Sequence, residues 1–274
     1  MNKKMGIVAL GATISLTALA GCSATKSAGS VAGSLVLSPL AAVQAAFTKV
    51  SNDNSVKVTG TITSSGTTVQ LSGTEQFSPV KVAMTMTTSG SATGALTIGE
   101  IYDGTNFYIQ NAEFSALDGG KPWAEIDLNS LGGAGSSIES LLSGVKNESP
   151  TSALEPLLAS GDLKNLGPAT VGGVATTHYA GTLTGAQVES LAPTQGLSAA
   201  QVAQIKQLLQ AGGVTSETID VWIDSNNLLT QMKSSVVTAS GTSTTSMQFS
   251  DWGAPVSIAD PPANEVGTFT IPKG

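Results

Sequence analysis

Between residues 56 and 86 apolar and polar side chains alternate with a period of two through three consecutive segments, and no other pattern restricts the fold as strongly. Val56, Val58 and Ile62 alternate with Lys57, Thr59, Thr61 and Thr63; Val69, Leu71 and Phe77 alternate with Gln70, Ser72 and Gln76; Val80, Val82, Met84 and Met86 alternate with Lys81, Thr85 and Thr87. Successive side chains of a strand point to opposite faces, so this alternation predicts strands that are apolar on one side and polar on the other. The links Ser65-Gly66 and Ser78-Pro79 are short, which makes the three strands an antiparallel meander. Leu96, Ile98 and Tyr102, then Asp103-Gly104, then Phe107 and Ile109 extend it by a hairpin. Trp123 to Leu128 reads as a further strand.

Such a sheet needs something to cover its apolar face, and the helices are legible at its borders. Ser38 suits an N-cap and Pro39 a first helical position, while Leu40, Val43, Phe47 and Val50 recur at helical spacing, so an amphipathic helix is predicted over 39–52. Ser136-Ser137-Ile138-Glu139 is a capping box opening a short helix with Ile138, Leu141, Leu142 and Val145 as its apolar stripe. Leu154 to Leu158 reads as a helical turn, and residues 170–183 return to strand through a turn at Gly172-Gly173. Thr184 with Gln187 forms a second capping box. Ser198 caps a longer helix carrying Val202, Ile205, Leu208 and Leu209, stopped at Gly212-Gly213. The chain then closes with strands: Ile219, Val221 and Ile223 alternate with Asp220, Trp222 and Asp224, Asn226-Asn227 turns, and Met232, Val236, Met247 and Phe249 mark the last apolar face. Helices interrupt runs of antiparallel strand instead of following each one, so about ten strands and three or four helices predict an α+β fold, a large curved sheet with helices packed on one face.

The N-terminus has a different logic. Lys3 and Lys4 precede an apolar run from Ile7 to Ala20, the layout of a secretory signal, too short to span a bilayer comfortably. It ends in Leu19-Ala20-Gly21-Cys22, and this resembles the lipobox of bacterial lipoproteins. The resemblance implies removal of residues 1–21, lipidation of Cys22, a flexible tether over 22–37 and a single domain over 38–274, held at the extracytoplasmic face of the cell membrane. Two acyl chains give a stable anchor where one gives marginal binding. Cys22 is the only cysteine, so the fold has no disulfide.

Charge narrows the partners. The formal net charge is −7, and the two lysines before Cys22 leave with the signal, so the mature chain is more acidic still. This sign argues against nucleic acid and against electrostatic adhesion to anionic lipid. Every basic residue is lysine, which removes the bidentate fork that grips phosphate or carboxylate.

Catalytic and metal chemistry find little support. His178 is the only histidine, so a site built on several imidazoles is excluded, and a satisfied strand histidine is the expected role. The chain has no G-x-S-x-G elbow. Asp220 and Asp224, four apart on one strand face, stand about 13 Å apart, too far to share a proton or one ion; they read as a solvated face. Gly132-Gly133-Ala134-Gly135 lacks a Walker lysine and reads as a flap.

Taken in order, the lipobox, the helix before a long meander, Thr177-His178-Tyr179, the strand Ile219 to Asp224, and the ending Phe249-Ser250-Asp251-Trp252-Gly253-Ala254-Pro255-Val256 with Pro261-Pro262 resemble the LppX/LprG-type lipoproteins of actinobacteria. That resemblance implies a LolA/LolB-like half-barrel of antiparallel strands with helices packed on its concave face. It also implies no cofactor, no enzymatic activity, and a lipid or acylated glycolipid held between sheet and helices for transfer across the envelope, with a transport partner left unidentified. The expected cavity lining is Val56, Val58, Ile62, Val69, Leu71, Val82, Met84, Met86, Leu96 and Ile98, of which the methionines adapt to irregular contents. The competing expectation is an anchored structural or sensory module whose core is filled.

Overall fold

The computed structural model describes residues 38–90, 94–111, 120–127, 154–191 and 210–268, with isolated positions at 115, 203, 206 and 207. By its contacts the chain divides after Val36, and every described element belongs to the unit Leu37–Gly274. Cys22, the signal and the tether lie outside the described residues, as do the glycine loop at 132–135, the helix expected at 138–145, and most of the one expected after Ser198.

Helix α1 spans Pro39–Ser51; the Ser38 hydroxyl accepts from the Ala41 amide at 3.2 Å, as an N-cap should. Its inward stripe is Ala42, Val43, Ala46 and Val50. Strands β1 (Ser55–Ser64), β2 (Thr67–Phe77), β3 (Val80–Ser89), β4 (Leu96–Tyr102), β5 (Asn106–Gln110) and β6 (Trp123–Asp127) follow as one antiparallel meander. Ser65 and Gly66 both take positive φ, 48° and 82°, the conformation that lets a two-residue turn follow the twist of its strands. At the next tight turn the Asp103 carboxylate accepts from the amides of Thr105 and Asn106 at 2.6 and 2.7 Å.

A second meander begins after the short helix α2 (Glu155–Ala159). It comprises β7 (Lys164–Val171), β8 (Val174–Thr184), helix α3 (Gly185–Leu191), β9 (Val214–Asp224), β10 (Leu229–Thr238) and β11 (Gly241–Ser250). The second capping box forms: Gln187 Oε1 accepts from the Thr184 amide at 2.9 Å and Thr184 Oγ1 from the Gln187 amide at 3.4 Å. The meanders are joined by antiparallel pairing of β1 with β11, and a last short strand, β12 (Val266–Thr268), pairs in parallel with β6. The described sheet therefore has twelve strands in the order β12-β6-β5-β4-β3-β2-β1-β11-β10-β9-β8-β7, an open half-barrel in an α+β fold.

Two expectations need correction. The sheet has twelve described strands where ten were expected, because β7 and β12 were not foreseen; residues 170–183 belong to a hairpin whose first strand starts at Lys164. The helix expected over 39–52 ends at Ser51, with Asn52 as its C-cap.

The Phe249 to Pro255 segment is the exit from the sheet. Asp251 takes φ 53° and ion-pairs with Lys57 at 2.7 Å, the Trp252 indole N–H donates to the Leu229 carbonyl at 2.8 Å, and the Ser55 hydroxyl donates to the Ala254 carbonyl at 2.6 Å. This turn locks β11 to β1 and to the start of β10.

Candidate functional site

Register assigns every strand residue to one of two faces. Val56 and Val58 oppose Glu75 and Gly73 on β2, which oppose Val82 and Met84 on β3, which oppose Tyr102 and Glu100 on β4. Leu71 opposes Met86, which opposes Ile98; Ile62 opposes Val69; Thr88 opposes Leu96. All ten residues expected to line a cavity thus share one face, the inner one. Through Phe249 and Met247 that face continues to Met232 on β10, then Val221 on β9 and Tyr179 on β8.

The inner face is not uniform. Over β8, β9 and the start of β10, Leu183, Ile219, Val221, Ile223 and Leu229 are 0–4% exposed and pack with Val43, Val50, Leu154 and Leu157 of the helical side. Gly181 makes this closeness possible, since a methyl group placed on it would stand 2.9 Å from Leu157 Cδ1 and strike Ser160 Oγ. Over β1 to β4 only Val56, Val58 and Leu71 of the ten are buried; Ile62, Val69, Val82, Met84, Met86, Leu96 and Ile98 keep intermediate exposure. Here too a glycine shapes the surface: a methyl on Gly73 would lie 2.7 Å from Met84 Sδ, so the thioether lies across bare backbone. A methionine laid over a glycine has somewhere to move.

Among the described strand residues, the inner face is charged in one sense only. Glu75, Glu100 and Glu217 occupy inner positions, whereas the described strand lysines, Lys57, Lys81, Lys164 and Lys233, all take outer ones. Glu217 accepts from the Ser234 hydroxyl at 2.6 Å. Glu100, between Met84 and Ile109, has no ion-pair or hydrogen-bond partner among the described residues, and burial pushes its carboxyl above the ordinary carboxylate range. A carboxyl on an apolar face repels an anionic head group and accepts hydrogen bonds from hydroxyls.

His178 lies on the outer face of β8, opposite Trp222, with Tyr179 on the inner side, as the alternation predicted. Its Nε2 is 2.7 Å from Asp220 Oδ1 and its ring stacks on Trp222 with centroids 4.3 Å apart and planes at 7°. An ionised carboxylate only accepts, so Nε2 carries the proton in this pair. Asp220 is therefore part of a built contact and not simply solvated surface, which corrects the reading of that acid. The pair spans 42 residues and adjacent strands, so only the β8–β9 register could have revealed it. Asp224 closes the β9–β10 turn, accepting from the amides of Asn226 and Leu228 at 2.8 Å each. Among the described residues no group of three His, Cys, Asp or Glu could hold a metal ion.

The described residues thus build an open sheet with helices packed against one part of its inner face and a partly buried apolar remainder. The chain belongs to the family of a Streptomyces griseus protein described as an uncharacterized 31.2 kDa protein in the rplA-rplJ intergenic region, with which it is 31% identical over 247 residues, 85% of this chain and 79% of that one. A Streptomyces coelicolor protein named "Putative lipoprotein" is 28% identical over 161 residues, 57% of this chain and 46% of its own length. Among solved structures, LprF from Mycobacterium bovis superposes over 81% of this chain and 96% of its own with a TM-score of 0.50 at 16% identity, a likeness of fold. No family model matches the chain.

Proposed function

We propose that this protein is a non-enzymatic lipoprotein, anchored through Cys22 and a tether over 22–37, whose domain over 38–274 takes a lipid or acylated glycolipid against the β1–β4 half of the inner face and carries it across the envelope. The observation that carries this reading is the half-exposed apolar surface there, with Met84 resting across Gly73, inside a fold shared with LprF. A chain of about sixteen carbons gains on the order of 10 kcal/mol gross at ~0.8 kcal/mol per CH₂ when such a surface receives it. The acids on that face, and its lack of described lysines, favour a ligand whose head donates hydrogen bonds over one that brings phosphate.

Organic extraction of the natively purified protein followed by mass spectrometry tests the reading; acylated lipid at near-stoichiometric yield supports it, and a domain that carries none points to an anchored structural module with a filled core. Cys22→Ala should abolish palmitate labelling and leave an unprocessed precursor. His178→Ala should leave lipid binding intact, and an ester hydrolysis that vanished in this variant would overturn the non-enzymatic assignment.

A further inference from the structure

The outer face of the sheet carries two adjoining grooves of about 490 and 400 Å³, which share Thr59, Ser72 and Thr85; most of their lining takes outer positions, and the inward-register residues Val58, Gly60, Leu71, Gly73, Met84 and Glu100 border them from between those positions. Together they cross the strands from Trp123 on β6 to Gln248 on β11, six strand spacings or roughly 29 Å at ~4.8 Å each. The larger groove is built around Gly99. A methyl group placed there would come within 3.0 Å of the Gln110 amide oxygen and 3.3 Å of Trp123 Cη2, so the amide and the indole converge over bare backbone. Ala83 and Ile101 continue the floor, and Thr85, Ser72 and Thr59 supply hydroxyls along it.

The chemistry of this trough selects its occupant. These strands lie inside the sheet, their backbone groups already paired, so a peptide cannot be held by strand addition and recognition falls to side chains. Lys57, the one cation among the described groove residues, is paired with Asp251, and the whole chain is acidic, which disfavours a polyanion. Apart from Glu100, whose register turns it to the inner face, what remains is an indole face, a planar amide and a run of hydroxyls. That set matches a polymer of pyranose rings, whose C–H faces stack on aromatic surface and whose hydroxyls both give and accept hydrogen bonds. We propose that the outer face binds an uncharged polysaccharide strand, with Trp123 as the stacking platform and Gln110 as the first hydrogen-bonding partner.

Trp123 and Gln110 take outer positions and are not among the residues proposed to receive lipid, so their variants read the outer face separately from lipid binding. Linear neutral hexasaccharides of glucose and of mannose, and a heparin hexasaccharide as polyanion, are titrated onto the purified full-length chain and followed by saturation-transfer NMR and tryptophan fluorescence. A neutral hexasaccharide should bind, with affinity reduced about tenfold or more, that is 1.4 kcal/mol, by Trp123→Ala and by Gln110→Ala. Trp123→Phe should retain most of it. Gln110 is exposed, so Gln110→Ala reads the site even if the Trp123 variant folds poorly. Absence of binding by every neutral hexasaccharide, binding of heparin alone, or equal binding by the Gln110→Ala and unmutated proteins would overturn the proposal.

Discussion

The two halves of the inner face use similar residues to different ends. Over β8 to β10 the sheet meets α1 and α2 so closely that Leu183, Val221 and Leu229 are almost sealed, and a glycine at 181 is needed to let α2 approach. Over β1 to β4 the same alternation of apolar and polar residues produces a face on which Met84, Met86, Leu96 and Ile98 remain half-exposed. Among the described residues, α1 and α2 pack on the first half, and the second half carries methionine across bare backbone. A face of Val, Leu and Ile against fitted helices becomes a dry core. One with methionine over glycine stays adaptable.

Truncation separates the halves most sharply. Leu183→Ala should cost roughly 2–5 kcal/mol, because the cavity it leaves is walled by residues that cannot collapse into it. Met86→Ala, removing a longer side chain from the other half, should cost less than about 1 kcal/mol, since the side chain is only partly buried. Thermal and urea unfolding of both variants measure the gap, and equal costs would erase the distinction.

Titration offers a second contrast, between a partly buried carboxyl on the inner face and an exposed one near the start of β7, shifted in opposite directions. Glu100 is raised by burial. Its ionised form is a burden that is fully present above its folded pKa and disappears as pH falls below the unfolded value near 4.3. Glu100→Gln should therefore raise the melting temperature by about a degree or two near neutral pH and make no difference near pH 4. Asp162, its side chain exposed between α2 and β7, is lowered, chiefly because its carboxylate accepts from the Thr182 amide at 2.8 Å. It contributes stability above its unfolded pKa and loses that contribution as pH falls through the folded one. Asp162→Ala should show a deficit well under ~1 kcal/mol near neutral pH, as befits an exposed group, and the deficit should narrow in acid. Calorimetric scans from pH 3 to 7 read both effects, and parallel pH trends in the two variants would contradict the assignment.

Much of this contrast was legible in the residues, and its limits were physical. The alternation from Val56 to Met86 placed eight of the ten predicted lining residues on one face, and Leu96 and Ile98 joined them through the pairing of β3 with β4, because period two admits no other arrangement once strands pair. Strand β7 escaped because Leu166-Gly167-Pro168 breaks alternation, and the register shift between Asn165 and Gly167 shows why: the strand carries a bulge there. The pairing of β1 with β11, and with it the stacking of His178 on Trp222 in the second meander, depends on register between distant segments that no local pattern encodes. Likewise Trp123 and Gln110 looked like ordinary strand residues until pairing set both beside Gly99.

The central claim is that the β1–β4 half has room for a ligand, and Met84→Trp tests it most directly. In a filled core the larger ring would overpack and cost roughly 1–3 kcal/mol. The account predicts instead that the melting temperature hardly moves while uptake of a fluorescent fatty-acyl probe, and the lipid recovered with the protein, fall clearly. A strongly destabilised variant, together with an unmutated protein that takes up no acyl probe, would contradict it.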